Sequence, residues 1–408
     1  MDWSRVVMLG MVCWLLLGRV SGGAELSVMM GLGEVEWRVM RERIFPPFEA
    51  EHGVKIRGIQ ADAADAVKKV VAMHRAGRMQ VDLITQDVLL LQPLVEAGAM
   101  ADLSAYKAEI PDSALPALTQ VGTFNGTTYF LPYRPNVQIA YYHATKFAAY
   151  GVQPPETWDT LLAVARRLHD AEGIGRVLMH GTLDLNTTTQ VVEFIWAAGG
   201  DPLVFTDPGS VQAFTFLQQL APYLAPETRR ANWNTTNTFL ATEAVYLARN
   251  WPFGVHLLVQ QAGKTQIHAY HGWRGPVREA HVLGGEMIGI PTGAPHQEVA
   301  LAFMRYLISK PVQETLVSAL GWPSFRSDAY GTIAAWQAPY FAAVREALPH
   351  ALARPHVPYW GEVDRTLAGA FQEIVYEGRA VQATLERSQQ QLQQALQRQP
   401  GRGRRHTP

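Results

Sequence analysis

Short apolar runs alternate with amphipathic patterns along the first part of the chain. Residues 26–30 predict a strand, residues 48–59 predict a helix end, a glycine stop and a second strand, and residues 81–85 predict a third strand. Asp62 is the predicted N-cap of the helix between the second and third strands. Strands and helices in this order predict an α/β fold, with parallel sheets and right-handed crossovers.

Two acidic residues follow predicted strands of this sheet. Glu34 comes after the first strand, where a helix begins, and Asp87 comes after the third. Ligands bind beyond the carboxyl ends of parallel strands, so both side chains are candidates for ligand contacts. Each also has a structural interpretation, because the helix dipole favours carboxylates in the first turn and aspartate often caps turns.

A dense series of local signals occupies residues 124–162. An Asn-Gly turn precedes a short aromatic strand at residues 129–130, and Pro132 is expected to stop that strand. A second strand is predicted over residues 138–142. Thr157 then follows a Pro-Pro step and is the predicted N-cap of an amphipathic helix.

This segment, FNGTTYFLPYRPNVQIAYYHATKFAAYGVQPPETWDTLL, resembles the signature of family 1 extracellular solute-binding proteins of bacterial ABC importers, of the carbohydrate, maltose-binding type. Further segments resemble the same family in the family's order; they are residues 194–201 (FIWAAGGD), 239–251 (FLATEAVYLARNW), 282–291 (VLGGEMIGIP) and 321–326 (GWPSFR). Thr242 and Asn250 replace glycines that the family usually carries. The resemblance covers nearly the whole chain after residue 24.

The resemblance implies a two-lobed periplasmic-binding-protein fold, in which each lobe is a mainly parallel sheet flanked by helices and hinge crossings join the lobes. It places residues 25–134 and 287–323 in the first lobe, and residues 135–286 and 324–398 in the second. Residues 399–408 contain three arginines and no apolar side chain, so we expect a disordered tail there.

The N-terminus and the overall composition indicate a secreted protein. Arg5 precedes an apolar run over residues 6–17, and residues 22–24 are small, as at a cleavage site. We therefore expect residues 1–24 to be a signal peptide that exports the chain to the periplasm or the extracellular face of the membrane, with a retained anchor as the alternative. The only cysteine, Cys13, lies in this run, which excludes disulfides from the mature chain. The net charge of -1 gives no reason to expect nucleic acid as a partner.

A sugar site needs flat aromatic faces and planar hydrogen-bonding side chains. The resemblance implies that Trp251 lies under a sugar ring and that Arg134 lies at the first crossing between lobes. Glu286 follows a double glycine, where many family members carry tryptophan, so sugar stacking does not transfer to that position. The candidate ligand-binding residues are Glu34, Asp87, Tyr133, Arg134, Trp251, Gly285, Glu286, Trp322 and Arg326. The structural alternatives are core aromatics for the tryptophans and a surface ion pair for Arg326.

The resemblance implies a monomeric binding component of an ABC importer, which captures a mono- or oligosaccharide between two closing lobes and delivers it to a membrane permease. No cofactor or catalytic residue is expected, because capture is a binding equilibrium and the sequence motifs of serine hydrolases, zinc proteases and phosphate-binding loops are absent. No metal site is expected either, since His268 and His271 have no clear third and fourth ligands.

Three alternatives stay open at this stage. Arg134 with Arg326 or Arg249 could hold a glycerol-phosphate ester, because a guanidinium makes paired hydrogen bonds to phosphate. The three acidic candidates could instead be counter-charges for a polyamine. A secreted carbohydrate-active enzyme would place two carboxylates around a glycosidic bond, and their spacing is spatial rather than sequential.

Overall fold

The structure, a computed structural model, describes residues 25–331 and 333–398, so the expected signal peptide and tail lie outside the described residues. The strands are β1 (Glu25–Met30), β2 (Lys55–Gln60), β3 (Leu83–Asp87), β4 (Thr123–Phe124), β5 (Thr127–Thr128), β6 (Leu131–Asn136), β7 (Ile139–His143), β8 (Val177–Leu178), β9 (Leu247–Asn250), β10 (Ile267–Tyr270), β11 (His281–Val282), β12 (Gly284–Gly289) and β13 (Ala351–Leu352). The α-helices are α1 (Glu34–Val39), α2 (Phe45–His52), α3 (Ala63–Arg75), α4 (Gln92–Glu96), α5 (Pro116–Val121), α6 (Ala144–Tyr150), α7 (Trp158–Glu172), α8 (Leu185–Ala197), α9 (Pro208–Leu220), α10 (Trp233–Ala241), α11 (Gln297–Ile308), α12 (Lys310–Leu320), α13 (Ala338–Ala347), α14 (Trp360–Phe371) and α15 (Val381–Gln397). Within these two ranges, no helix has the length and apolar character needed to cross a membrane.

The larger sheet has five strands in the order β2-β1-β3-β12-β6. β1 pairs in parallel with β2 and β3, whereas β12 pairs antiparallel with β3 and with β6. Four strands therefore run in one direction and only β12 opposes them. The first three strands lie where the apolar runs predicted them, and the sheet is mainly parallel, as expected.

The edge strand β6 differs from its prediction. It runs from Leu131 through Pro132 and Pro135 to Asn136, so the strand predicted at residues 129–130 was misplaced and the expectation that Pro132 stops it was wrong. The physical reason is its position, since β6 pairs with β12 alone. An edge strand tolerates proline because one side of it needs no N–H donors.

The central strand β12 requires glycine at one position. Gly285 has a φ of +109°, and a Cβ on this residue would lie 2.0 Å from the carbonyl oxygen of Arg134. Only glycine fits that close approach without strain. The next residue, Glu286, lies in register with Asp87 of β3 on one side and with Arg134 of β6 on the other. The sheet thus places three charged residues side by side.

A second sheet has four strands in the order β10-β7-β9-β8, with β7 antiparallel to both of its neighbours. β6 and β7 are consecutive in the chain but belong to different sheets, so the chain passes between the sheets from Asn136 to Ile139. It returns to the first sheet at Gly284, next to the short parallel pair of β11 and β13. The exact residue ranges of the two lobes stay a prediction.

The buried apolar side chains form two large cores: the first surrounds the first sheet and also includes one face of the second, and the second lies on the other face of the second sheet. In the first core, the rings of Phe48 in α2 and Phe303 in α11 meet edge to face at 4.8 Å. In the second, the rings of Trp158 in α7 and Phe216 in α9 stack at 4.6 Å. α7 begins as predicted, because the Thr157 hydroxyl accepts a hydrogen bond from the Thr160 amide. Burial of each such aromatic side chain stabilises the fold by roughly 2–3 kcal/mol.

Candidate functional site

A cleft of about 810 Å³ lies where the two sheets face each other. One side is formed by the carboxyl end of β3, the strands β6 and β12, and the loop after α12; the other is formed by the starts of α8 and α10, the residues after β9, and the segment after β13. We call the first side the first wall, represented by Glu36, Asp87, Arg134, Glu286 and Trp322. We call the other the second wall, represented by Asn186, Thr189, Trp233, Trp251 and Arg354.

Most of the residues that the sequence singled out meet in this cleft. Six of the nine candidates line it, namely Asp87, Arg134, Trp251, Gly285, Glu286 and Trp322. The other three, Glu34, Tyr133 and Arg326, do not line it. Contact of any of the nine with a solute stays a prediction.

Glu36 occupies the place that the sequence suggested for Glu34. Glu34 is exposed outside the cleft, at the first position of α1. Glu36 lies two residues further round the helix, where its carboxylate accepts a hydrogen bond from the Gly33 amide at 2.7 Å and lines the cleft. The composition of this turn predicts an acidic side chain here, but only the helical phase decides which residue faces inward.

Tyr133 and Arg326 support the first wall from outside the cleft. Tyr133 is fully buried behind Trp322, with the two rings edge to face at 6.2 Å, and burial raises the pKa of its hydroxyl. Arg326 pairs with Asp328 at 3.0 Å and donates to the Ile308 carbonyl at 3.2 Å. The hydrogen bond from Arg326 lowers the pKa of Asp328 to about 2.

Arg134 is the centre of a charge network in the first wall. Its guanidinium lies 3.3 Å from the Glu36 carboxylate and 3.5 Å from that of Glu286, and it lies over the Trp322 ring at 4.0 Å. The Trp322 indole N–H also donates to Glu36 at 2.8 Å. Burial lowers the pKa of Arg134, but the two carboxylates outweigh it and the net pKa is raised. Burial raises the pKa of Glu286, with only partial compensation by Arg134.

Asp87 ends β3 and caps the turn that follows. Its Oδ1 accepts a hydrogen bond from the Leu89 amide at 2.8 Å. Burial raises the pKa of the carboxyl, while that bond and the charges of Arg354 and Arg134 oppose the shift. The turn-capping role foreseen as a structural alternative is therefore real, and it leaves the second carboxylate oxygen available to the cleft.

Arg354 is a wall residue that the sequence did not reveal. It lies in the second wall and is 6% exposed. Its Nη2 donates to the Thr189 hydroxyl at 3.3 Å, but Nε and Nη1 are buried and have no hydrogen-bond partner among the described residues. Burial lowers its pKa. An arginine in an irregular segment before a proline carries no sequence signal that separates it from an exposed one.

Two tryptophans line the second wall. The Trp251 indole packs against the backbone at the start of β12, since a Cβ on Gly284 would lie 2.9 Å from its ring. Trp233, at the start of α10, is 43% exposed, and its carbonyl accepts a hydrogen bond from the Asn250 side chain at 2.9 Å. The sequence did not single out Trp233, and its place directly after the Asn232 N-cap carries no signal of exposure, since Trp158 directly after the Thr157 N-cap is buried.

Other charged groups named from the sequence lie outside the cleft. Arg249 forms a buried ion pair with Glu193 at 2.8 Å. His268 lies on β10 rather than on a helical turn, and His271 shares a hydrogen bond with Glu279 at 2.8 Å. In residues 25–331 and 333–398, no group of three or more His, Cys, Asp or Glu side chains is arranged to hold a metal ion.

Comparison with known proteins gives consistent results. The profile of a family described as bacterial extracellular solute-binding protein matches residues 44–343. Maltose-bound MalE3 of T. maritima superposes with a TM-score of 0.77 at 22% identity, covering 91% of this chain and 100% of that one. A Thermotoga lettingae ABC transporter solute-binding protein bound with α-D-tagatose gives 0.78 at 22% identity, with 92% and 100% covered. The sugar-binding protein MalE of Xanthomonas citri gives 0.81 at 16% identity, with 92% and 98% covered. These likenesses confirm the predicted two-lobed fold.

Proposed function

Because the chain belongs to the bacterial extracellular solute-binding protein family, we propose that its cleft captures a mono- or oligosaccharide for an ABC importer. One observation carries the choice of solute: the second wall presents two tryptophans beside polar side chains with unused hydrogen-bonding capacity. Aromatic faces cover the C–H surface of a sugar ring, and planar polar groups bind its hydroxyls. The maltose, tagatose and sugar named for the three similar structures agree with this choice.

Phosphate esters are disfavoured by the state of the arginines. Each of the three proposed for phosphate binding is already in an ion pair: Arg134 with Glu36 and Glu286, Arg249 with Glu193, and Arg326 with Asp328. A phosphate would have to compete with those carboxylates, and only Arg134 lies in the cleft wall. These three arginines therefore do not form a phosphate cradle.

Polyamine binding is disfavoured by the same pairing. Glu286 is engaged by Arg134, and Glu34 lies outside the cleft. The buried cation Arg354 in the opposite wall would repel an ammonium group. Only Asp87, among the three acidic candidates, remains a free counter-charge.

An enzyme is disfavoured by the position of the carboxylates. Asp87 and Glu286 are cross-strand neighbours in one sheet, so both lie in the first wall. Glycoside hydrolysis needs two carboxylates that flank the scissile bond, one for each face of the reaction. We therefore propose binding without turnover.

Capture would couple the two walls through the solute. A sugar that contacts both walls stabilises a closed cleft in proportion to its extra contacts in that state. The closed form, acting as a monomer outside the cytoplasmic membrane, would then be the form that the membrane permease accepts.

The test is a thermal-shift and calorimetric screen of residues 25–398 against maltose, α-D-tagatose, ribitol, glycerol 3-phosphate and spermidine. We expect one or more of the first three to raise the Tm, because binding to the folded state stabilises it. Trp251→Ala should abolish the shift, whereas Trp336→Ala, a 38% exposed tryptophan outside the cleft, should preserve it. A shift confined to glycerol 3-phosphate or spermidine, or chromatographic detection of sugar cleavage, would contradict the proposal.

A further inference from the structure

We propose that Gln138 is a specificity-determining residue whose side-chain amide is held with its N–H groups towards the cleft, where they donate to an oxygen atom of the solute. Gln190 is the positioning residue, because it fixes which end of the Gln138 amide the solute meets. This inference rests on the proposed function and deepens it, since it names the chemical group that the cleft accepts at this point, an oxygen acceptor.

Gln138 lies in the short passage from Asn136 to Ile139 that joins β6 to β7, and it lines the cleft. Its side chain is buried, and a buried polar side chain needs hydrogen-bond partners. Within residues 25–331 and 333–398, the amide makes a single hydrogen bond, which its Oε1 accepts from Gln190 Nε2 at 2.8 Å. Gln138 Nε2 has no partner in those residues and stays accessible from the cleft.

The orientation of the Gln190 amide is fixed by two backbone groups. The oxygen and nitrogen of an amide have nearly the same size, so the partners decide which atom lies where. The His180 backbone N–H donates to Gln190 Oε1 at 2.9 Å, and Gln190 Nε2 donates to the Arg249 carbonyl at 3.3 Å. A backbone N–H can only donate and a backbone carbonyl can only accept, so Gln190 cannot turn over without losing both bonds.

The orientation of Gln138 follows from that of Gln190. Because Gln190 presents Nε2, which is a donor only, Gln138 must present its oxygen to it. If Gln138 turned over, two NH₂ groups would lie against each other and neither would have an acceptor. The amide nitrogen of Gln138 is therefore the end that is left for the cleft.

The groups that hold this orientation are themselves rigidly placed. His180 follows β8 and Arg249 lies in β9, and these two strands are paired in the second sheet. The Arg249 side chain forms a buried ion pair at 2.8 Å with Glu193, which lies about one turn after Gln190 in α8. A donor that is already oriented loses little conformational freedom when a solute binds, so its hydrogen bond adds more to the affinity.

A fixed donor selects the solute by its chemistry. A hydroxyl, ring or glycosidic oxygen can accept from Gln138 Nε2, whereas an ammonium group has donors only and would meet N–H groups. A solute with an apolar group at this point would leave the amide N–H groups without water and without an acceptor, which is costly. The site should therefore favour solutes that place an oxygen against Gln138.

The first part of the test measures hydrogen exchange of the side-chain amides by NMR in the ¹⁵N-labelled chain. The signals are assigned from the spectra of Gln138→Met and Gln190→Met. Without solute, the enclosed and hydrogen-bonded Gln190 protons should exchange slowly, and the Gln138 protons should exchange fast with water in the cleft. A bound sugar should slow the Gln138 exchange by about tenfold or more and leave that of Gln190 unchanged.

The second part is a double-mutant cycle in calorimetric titrations with maltose, α-D-tagatose and ribitol. Gln138→Met, which keeps the size and removes the donor, should weaken binding by about tenfold. Gln190→Met should weaken binding in the native chain but cost no further affinity in Gln138→Met, because no amide is then left to orient. Gln218→Met is the matched control, since Gln218 Nε2 donates to the Arg379 carbonyl at 2.8 Å outside the cleft; it should keep native affinity.

The outcomes separate the contact, the positioning and the proposed function. Slow exchange of the Gln138 protons before solute is added would overturn the orientation, and native affinity in Gln138→Met would overturn the contact. Strictly additive losses would overturn the positioning role of Gln190, since a merely structural loss would act equally in both backgrounds. If none of the three solutes binds the native chain, the proposed function fails, and exchange in the solute-free chain still decides which end of Gln138 faces the cleft.

Discussion

The two walls of the cleft hold their arginines differently. In the first wall, Arg134 is held by two carboxylates and an indole ring before any solute arrives. In the second wall, Arg354 has one hydrogen bond and two buried nitrogens without partners among the described residues, and Trp233 is half exposed. Both walls keep buried polar atoms without partners, Nε of Arg134 and Oε2 of Glu286 in the first, but only the first-wall arginine is paired with carboxylates in the described part of the chain.

The difference teaches that a charged residue in a cleft is not by itself a ligand contact. Arg134 stabilises one arrangement of the sheet in the first wall, because its removal leaves two carboxylates without their cation. The polar groups of the second wall that lack a partner gain hydrogen bonds when a solute binds. Stability should therefore depend on the first wall and affinity on the second.

The largest effect is expected from breaking the first-wall network. Arg134→Gln would leave Glu36 and Glu286 without their cation, although Glu36 keeps its hydrogen bonds from Gly33 and Trp322, and we expect the free energy of unfolding to fall by about 3 kcal/mol. Arg354→Gln is the matched change in the second wall; it breaks no ion pair, and we expect a change below about 1 kcal/mol. Urea unfolding at neutral pH without solute measures both. Equal losses would contradict the distinction between the walls.

Acidification is expected to lower the free energy of unfolding by a similar amount, through His180, which lies behind the second wall. The His180 amide donates to the Gln190 side chain, which in turn donates to Gln138 in the cleft wall. Burial lowers the pKa of the His180 imidazole to about 4. In the unfolded chain this pKa is about 6.5, so between these values the unfolded state binds a proton that the folded state does not.

The free energy of unfolding therefore has its full value, as far as His180 is concerned, above about pH 6.5. It falls as the pH is lowered towards 4, because the unfolded chain then gains a proton that the folded chain does not. His180→Leu should remove about 3 kcal/mol of the acid-induced loss between pH 7 and pH 4. The measurement is urea unfolding across that range, with exposed His268→Leu as the control. An acid dependence that His180→Leu leaves unchanged would show that other groups dominate it.

A smaller effect separates the tryptophans of the two walls. Trp233→Ala should lower affinity about tenfold and leave the Tm of the free protein nearly unchanged, because its indole is exposed and has an open face. Trp322→Phe should lower the Tm of the free protein and leave the affinity nearly unchanged. The reason is that the face of the Trp322 ring is covered by Arg134 and its N–H is bonded to Glu36. Calorimetry with a sugar from the screen and thermal unfolding together measure this. The opposite pattern would indicate that the sugar ring stacks on Trp322 in the first wall.

The fold was largely predictable, because it depends on patterns that are local in sequence. Apolar runs located β1, β2 and β3, and the resemblance of the ordered motifs to a known family implied the two-lobed architecture. The course of β6 through two prolines was not predictable, since only its place at the edge of the sheet makes them tolerable. Local signals identify elements, but tertiary position decides how far each one extends.

The site was predictable in its location and less so in its residues. The end of a predicted strand led to Asp87, and the resemblance to the family led to Glu286 after the double glycine; both line the cleft. Helical phase shifted the acidic residue of α1 from Glu34 to Glu36. Arg354 lies in an irregular segment, where no periodicity distinguishes buried from exposed positions. Whether a charge is paired is a property of the folded state, and no sequence pattern contains it.

The central position of β12 also has a consequence for biogenesis. The first sheet joins strands from the start of the chain to a strand that appears only at Gly284, and its wall links Glu36 to Trp322, which are 286 positions apart. Contacts this distant in sequence form slowly, because a long loop must close first. Until β12 arrives, β3 lacks a partner on one edge, and the nascent chain cannot complete its first unit. A chain synthesised from its N-terminus therefore stays incompletely folded until most of it exists.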